Sequence, residues 1–152
     1  MTRRDARRHA FILIFQIPFF TNTTVVNLAE AIKWYYDDLE NAEDANRPKG
    51  KNAKYIDRVV WGVFDRLTQL DGVIENFLRD WDLARICKVD LALMRLSIYE
   101  MLCEPDVPIG VAVDEAVEMS KEFGTDDSPF FINGVLGNVA RRIREQGRDN
   151  FG

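Results

Sequence analysis

The stretch KVDLALMRLSIYEML, which spans residues 88–102, decides the fold class of this chain. Its apolar side chains recur every three or four residues, the spacing that places them on one face of an α-helix. The members of this periodic set are Val89, Ala92, Leu93, Leu96, Tyr99 and Met101. We therefore predict a helix from about Lys88 to Leu102, with this face in a protein core.

The segments that follow are also predicted to be helical. Residues 104–108 contain two prolines and form a turn, after which a helix runs from Ile109 to Phe123. Gly124 is expected to end that helix in the left-handed conformation. Ser128 is expected to be the N-cap of a last helix that begins with proline and covers about residues 129–146.

Four helical segments are predicted before the opening stretch, over about residues 4–17, 25–39, 53–70 and 71–78. Pro18 should end or kink the first of them, because proline removes a backbone donor. An Asp71–Gly72 break separates the last two, with Asp71 as a cap. Since no strand-like alternation is sustained, we predict an all-α protein of about seven helices. We expect one domain over 1–152, whose N-terminal half (about 1–80) and C-terminal half (about 81–152) join near Trp81.

Composition and charge narrow the class of protein. The chain has 152 residues, 47% of them hydrophobic, and a net charge of -5, which suits a globular domain and argues against a large basic surface. Many of its arginines nevertheless cluster near the two ends of the chain, so either end could bind an anionic partner. The two groups are Arg3, Arg4, Arg7 and Arg8, and Arg141, Arg142, Arg144 and Arg148.

The sequence offers no chemistry for catalysis. Cys87, Cys103 and His9 are too few for a zinc site of cysteine and histidine, and His9 is expected to be exposed without a partner. There is no glycine-rich phosphate loop and no nucleophile near His9. We therefore predict no enzyme activity, no cofactor and no bound metal. The apolar run over residues 10–20 is too short to span a bilayer and lacks a cleavage site, so we expect a cytoplasmic protein.

Three sequence blocks occur in a fixed order in the C-terminal half. The first, residues 90–100, ends in Arg-Leu-x-x-Tyr-Glu. The second is Pro108 with VAVDEAVE at 111–118 and KEFG at 121–124, and the third is DS at 127–128 with FINGVL at 131–136. In order and spacing these blocks resemble the NusB family of bacterial transcription antitermination factors. Ala6, Arg7 and Ala10 of the first helix match that family as well.

The resemblance implies a fold of two three-helix bundles packed together, and it implies a function. Members of the family pair with NusE, a small-subunit ribosomal protein, and the pair binds a boxA-type sequence in nascent ribosomal RNA leaders. That assembly helps RNA polymerase to read through terminators. Some members form homodimers that cover the first helix, and the resemblance leaves such a homodimer open for this chain. The alternative is a divergent helical protein-binding module that kept the fold and lost RNA binding.

The basic first helix is the first candidate site. Arg3 and Arg7 lie one turn apart, as do Arg4 and Arg8, so the four guanidinium groups share one face and suit phosphate. A solvated helix end is the commoner explanation of such a charge run. The resemblance implies an arginine-rich RNA-binding motif in this helix, and we therefore predict RNA contacts at Arg3, Arg4, Arg7 and Arg8.

A second RNA-binding site is predicted at the start of the last helix. Its free backbone donors attract phosphate, while Phe131 could stack on a base and Asn133 could bond a base edge. Plain capping and core packing would account for the same residues. The resemblance implies RNA contacts at Asp127, Phe131 and Asn133.

Contacts with NusE are predicted, from the resemblance, at Phe15, Asp90 and Tyr99. Phe15 belongs to an aromatic stripe with Phe11 and Phe19, which could equally be packed inside the protein. Arg95 and Glu100 are expected to form an internal pair. Two residues depart from the family pattern: Ile12 replaces a common glutamine, and Pro18 falls where the first helix usually continues.

Overall fold

The computed structural model describes residues 1–17, 24–41, 47–78 and 82–151. Those ranges contain seven α-helices and no strand, which confirms the predicted all-α fold. The helices are α1 (Arg3–Phe15), α2 (Val25–Asn41), α3 (Gly50–Asp65), α4 (Leu67–Phe77), α5 (Lys88–Cys103), α6 (Ile109–Phe123) and α7 (Ser128–Gln146). Short 3-10 turns cover Leu83–Arg85 and Arg148–Asn150. The predictions for Pro18, Phe19 and Trp81 lie outside the described residues.

The chain divides into two compact units, Met1–Phe64 and Asp65–Gly152. The first unit contains α1, α2 and α3, and the second contains the remaining four helices. The division falls before α4, which packs against α5 and α7.

In the first unit, α1 begins with a reciprocal cap. The Thr2 hydroxyl accepts a hydrogen bond from the Asp5 backbone N–H, and the Asp5 carboxylate accepts one from the Thr2 N–H, each at 3.1 Å. The bonds from Thr2 hold the pKa of the Asp5 carboxyl below its usual range. The core face of α1 is buried as predicted, with Ala6, Ala10, Leu13 and Ile17 all at or below 4% exposure.

The predicted break at Asp71–Gly72 is wrong. The interruption lies at Arg66, and α4 runs through both residues. Asp71 does not cap a helix: its two carboxylate oxygens accept hydrogen bonds from Nε and Nη2 of Arg95, each at 2.8 Å. Arg95 is 1% exposed, so its charge needs a carboxylate within the core. The predicted pair of Arg95 with Glu100 is wrong for the same reason, because Asp71 takes that place.

In the second unit, α5 occupies the centre and packs against α4, α6 and α7. All residues from 90 to 101 are buried, polar ones included, so the helix is covered on every face and not on one. The buried polar groups of such a helix require partners. Ser97 donates to the carbonyl of Ala112 at 2.9 Å, and Arg95 binds Asp71.

Gly124 follows α6 at the predicted position, but the predicted left-handed conformation is wrong. Its φ is -97°, and the reason for a glycine is instead a close approach. A Cβ atom there would lie 2.5 Å from Ser128 Oγ and 2.9 Å from the Ser120 carbonyl oxygen. The prediction that Ser128 is the N-cap is also wrong. Ser128 is the first residue of α7, and its hydroxyl accepts a hydrogen bond from the Thr125 backbone N–H at 3.0 Å.

Candidate nucleic-acid interface

The arginines of α1 do not form the uniform exposed stripe that the sequence predicted. Arg3 and Arg4 are exposed, whereas Arg7 is only 5% exposed. Arg8 is half-buried and forms an ion pair with Asp5 at 3.4 Å. The most accessible cations of this helix are therefore Arg3 and Arg4.

Tyr55 of α3 stands at the centre of an arginine cluster that the sequence analysis missed. The guanidinium carbon of Arg3 lies 4.3 Å from the centroid of the Tyr55 ring, and those of Arg7 and Arg58 each lie 6.0 Å from it. Such distances are typical of cation–π contacts. We call Arg3, Arg7 and Arg58 around Tyr55 the arginine cluster. A basic residue one turn after Tyr55 is visible in the sequence, but nothing there places the ring beside α1.

The start of α3 is tied to the N-terminus of the chain. The Asn52 side-chain amide donates a hydrogen bond to the Met1 carbonyl at 3.0 Å. Asn52 is one turn before Tyr55, so this bond helps to hold the ring next to Arg3.

His9 is not an exposed residue without a partner, and that prediction is wrong. It is half-buried, its Nδ1 forms a short hydrogen bond with the Tyr35 hydroxyl of α2, and the two ring centroids are 5.7 Å apart. His9 therefore helps to join α1 to α2 within the first unit.

The aromatic stripe of α1 is divided between the core and the surface. Phe11 is 3% exposed and belongs to the core, whereas Phe15 is 42% exposed. The two ring centroids are 6.1 Å apart. Ile12, which departs from the family pattern, is half-buried. Of the predicted aromatic residues that the structure describes, Phe15 is the one that presents its ring to solvent.

The start of α7 brings several predicted residues together. Asp127 and Asn133 are exposed and Phe131 is half-buried. A cavity of about 300 Å³ lies here, and its lining includes Asp127 and Phe131 together with Asp90 of α5. Phe130, which the sequence analysis passed over, is 89% exposed. The sequence shows two adjacent phenylalanines, but it does not reveal which of the two rings is exposed to solvent.

Asp90 and Tyr99, which were predicted to contact NusE, are both buried. Asp90 is 7% exposed and its Oδ1 is buried without a hydrogen-bond partner among the described residues. Burial raises the pKa of the Asp90 carboxyl, although a hydrogen bond from Ser128 acts in the opposite direction. Tyr99 is 5% exposed, and the Arg66 guanidinium covers its ring at 5.8 Å. This burial argues against direct contact of either side chain with another protein.

Two features are absent from the described ranges. No group of three or more His, Cys, Asp or Glu side chains there is placed to hold a metal ion. None of the helices described is both long and apolar enough to cross a membrane.

Comparisons with known proteins agree with this architecture. The model of the NusB family matches residues 4–141. The chain is 39% identical to the transcription antitermination protein NusB of Carboxydothermus hydrogenoformans, over 95% of this chain and 96% of that protein. A solved structure of T. maritima NusB has a TM-score of 0.78 at 31% identity, covering 93% and 92% of the two chains.

A solved complex of the antitermination factors NusB and NusE with dsRNA shares the fold. Its TM-score is 0.75 at 20% identity, over 92% of this chain and 96% of that one. Because the family model spans most of the sequence and close relatives match it over nearly their full length, this chain belongs to the NusB family.

Proposed function

We propose that this protein is a transcription antitermination factor that binds RNA. Together with NusE, the small-subunit ribosomal protein, it binds a boxA-type sequence in nascent ribosomal RNA and promotes read-through by RNA polymerase. It acts in the cytoplasm and catalyses no reaction. The relatives support this proposal by their name, and the single observation in this chain that carries it is the arginine cluster around Tyr55.

The arginine cluster suits an RNA backbone. Three guanidinium groups share one aromatic ring, which concentrates positive charge at the start of α1 in a chain whose net charge is -5. Arg3 is exposed beside the ring, and a guanidinium in such a contact can still offer N–H donors to phosphate. Arg4 and Arg8 extend the same surface along α1.

The second proposed contact region is the start of α7. The half-buried ring of Phe131 can stack on an unpaired base, and the exposed amide of Asn133 can bond a base edge. The exposed carboxylate of Asp127 can accept a hydrogen bond from a base amino group.

The proposed contact with NusE centres on Phe15. Exposed aromatic side chains are common anchors of protein interfaces, and Phe15 is 42% exposed. We propose no direct contact of NusE with Asp90 or Tyr99, since both side chains are buried. A homodimer through α1 would cover the same ring, so it would compete with NusE.

The alternative function is a helical protein-binding module without RNA binding. The observation that favours it is the involvement of α1 arginines in internal contacts, with Arg7 buried over Tyr55 and Arg8 paired with Asp5. Under this alternative Phe15 would bind a protein, and the cluster would serve stability only.

A titration of labelled boxA-type RNA, with and without NusE, separates the two functions. We expect salt-sensitive binding that NusE strengthens. The variant Arg3→Ala/Arg4→Ala should weaken binding by roughly fivefold or more, the scale of a lost charge-assisted contact of ~1 kcal/mol. Lys121→Ala removes an exposed cation of α6 and serves as the control. Absence of RNA binding in both conditions would falsify the antitermination proposal. A separate measurement of NusE binding tests the protein contact, which Phe15→Ala should weaken.

A further inference from the structure

A second surface with the chemistry of a nucleic-acid site lies along α7. Phe130, Asn138 and Arg141 project within roughly 120° of one another around the helix, and all three are exposed. Next to them, the Arg142 guanidinium carbon lies 5.4 Å from the ring centroid of Phe77, at the end of α4. We call Phe77, Phe130, Asn138, Arg141 and Arg142 the α7 stripe.

Two cavities follow the α7 stripe. One, of about 420 Å³, is lined by Phe77, Phe130 and Asn138 among others. The other, of about 390 Å³, has Phe77, Asn138 and both arginines in its lining. Since Phe77 and Asn138 belong to both, the cavities adjoin, and the surface runs from an exposed ring at one end to two guanidinium groups at the other.

The arginines of the stripe share a cavity with the exposed carboxylate of Glu145, but they are not bound to it as Arg8 of α1 is bound to Asp5. In the parts of the chain that the structure describes, neither Arg141 nor Arg142 forms an ion pair. The one hydrogen bond of Arg141 goes to Asn138 Oδ1, at 3.2 Å. The remaining guanidinium donors and the Asn138 NH2 group are therefore available to a ligand that carries acceptors.

An aromatic ring in solvent, unpaired guanidinium groups and an amide make up the set that binds single-stranded nucleic acid. Bases stack on the ring whatever their identity, while arginines hold the phosphates. The Phe77 ring lies within cation–π distance of the Arg142 guanidinium and can restrict the positions that this side chain takes.

We propose that the α7 stripe binds single-stranded RNA that flanks the boxA-type segment. The inference rests on the proposed function, because Phe130 and Phe131 line one cavity at the start of the same helix and the stripe continues from there toward its C-terminus. A bound RNA would therefore be held over a longer path than the boxA-type contacts alone.

The test compares the affinity for a minimal boxA-type RNA with that for the same RNA carrying about five extra unpaired nucleotides, at its 5′ end or at its 3′ end. Fluorescence anisotropy in the presence of NusE gives both dissociation constants. For the wild-type protein, one of the two extensions should tighten binding by roughly tenfold, and the other should not. In Phe130→Ala and in Arg141→Ala/Arg142→Ala that gain should fall to below about twofold.

Two further measurements identify the chemistry. The arginine double variant should also lower the slope of log affinity against log salt by about 1.4 on the extended RNA, because each phosphate contact to a single strand contributes about 0.7. Arg142→Lys keeps the charge but loses the planar guanidinium and its bidentate N–H edge, so it should lose part of the gain only. Arg144→Ala, an exposed arginine of α7 outside the stripe, is the matched control.

The outcomes separate this inference from the proposed function. If the minimal RNA binds but neither extension adds affinity, or if the stripe variants keep the full gain, the α7 stripe does not bind RNA. The stripe variants could instead lose NusE binding with the RNA gain intact. That result would make the stripe a protein contact and overturn the inference. If the wild type does not bind the minimal RNA, with or without NusE, the proposed function is overturned. In that case, binding of the extended RNA that the stripe variants abolish would still support RNA binding by the α7 stripe.

Discussion

Removal of the Asp71 carboxylate should destabilise the protein strongly. Asp71→Ala would leave the Arg95 guanidinium in the core without the two hydrogen bonds of 2.8 Å that it now donates. Arg95 has 1% of its side chain exposed and Asp71 has 17%, so the pair is largely removed from water. Breaking a buried ion pair on one side typically costs about 3–5 kcal/mol.

The free energy of unfolding can be measured by urea denaturation. With a slope of about 2 kcal/mol per molar urea for a small protein, a loss of about 4 kcal/mol would lower the midpoint by about 2 M. Asp71→Asn keeps one acceptor oxygen and should cost less. Glu75→Ala, an exposed change in the same helix, should stay within about 0.5 kcal/mol of the wild type.

A double variant tests whether the cost comes from the unpaired charge. Asp71→Ala/Arg95→Met removes both partners and should recover part of the stability, because no buried charge remains. A loss below about 1 kcal/mol in Asp71→Ala would refute the reasoning. So would a double variant less stable than Asp71→Ala, since the pair would then matter through packing and not through charge.

Two further predictions concern stability. Gly124→Ala places a Cβ atom 2.5 Å from Ser128 Oγ and should lower the free energy of unfolding, measured by thermal unfolding, by about 1–3 kcal/mol. The control is Gly72→Ala, where a Cβ atom meets nothing within 4 Å, and it should be neutral or stabilising. Asp90→Asn should raise the melting temperature at pH 7. Burial raises the pKa of Asp90, so the folded state binds its proton more tightly than the unfolded chain, and the resulting loss of stability sets in as the pH rises above about 4. The gain from Asp90→Asn should therefore disappear below about pH 3.5, and an equal gain at pH 3 would contradict it.

The helices that the sequence predicted well are those whose signals are local. The range predicted for α6 matches, and that for α5 differs by one residue, because apolar periodicity and the flanking prolines act within a few residues. The Asp71–Gly72 pair carries the local signal of a break, but a tertiary contact overrides it. Arg95 lies 24 residues further along the chain, and only the packing of α5 on α4 joins the two.

The sequence allowed us to predict which residues belong to the candidate site, but not the burial and contacts of their side chains. The sequence places four arginines on one face of α1, but it does not reveal that Arg7 is buried or that Tyr55 of α3 gathers three guanidinium groups. The same holds for Asp90, whose position near the start of α5 gives no sign that it shares a cavity with Phe131. These features depend on which helices meet, and no local spacing encodes that.

The arginine cluster also links folding to ligand concentration. Only the folded first unit brings the guanidinium groups of Arg3, Arg7 and Arg58 together around one ring. A polyanion that needs all three groups would therefore bind the folded state and not the unfolded chain. Its binding energy would add to the stability of the fold by mass action, so the protein bound to RNA would unfold less readily than the free protein.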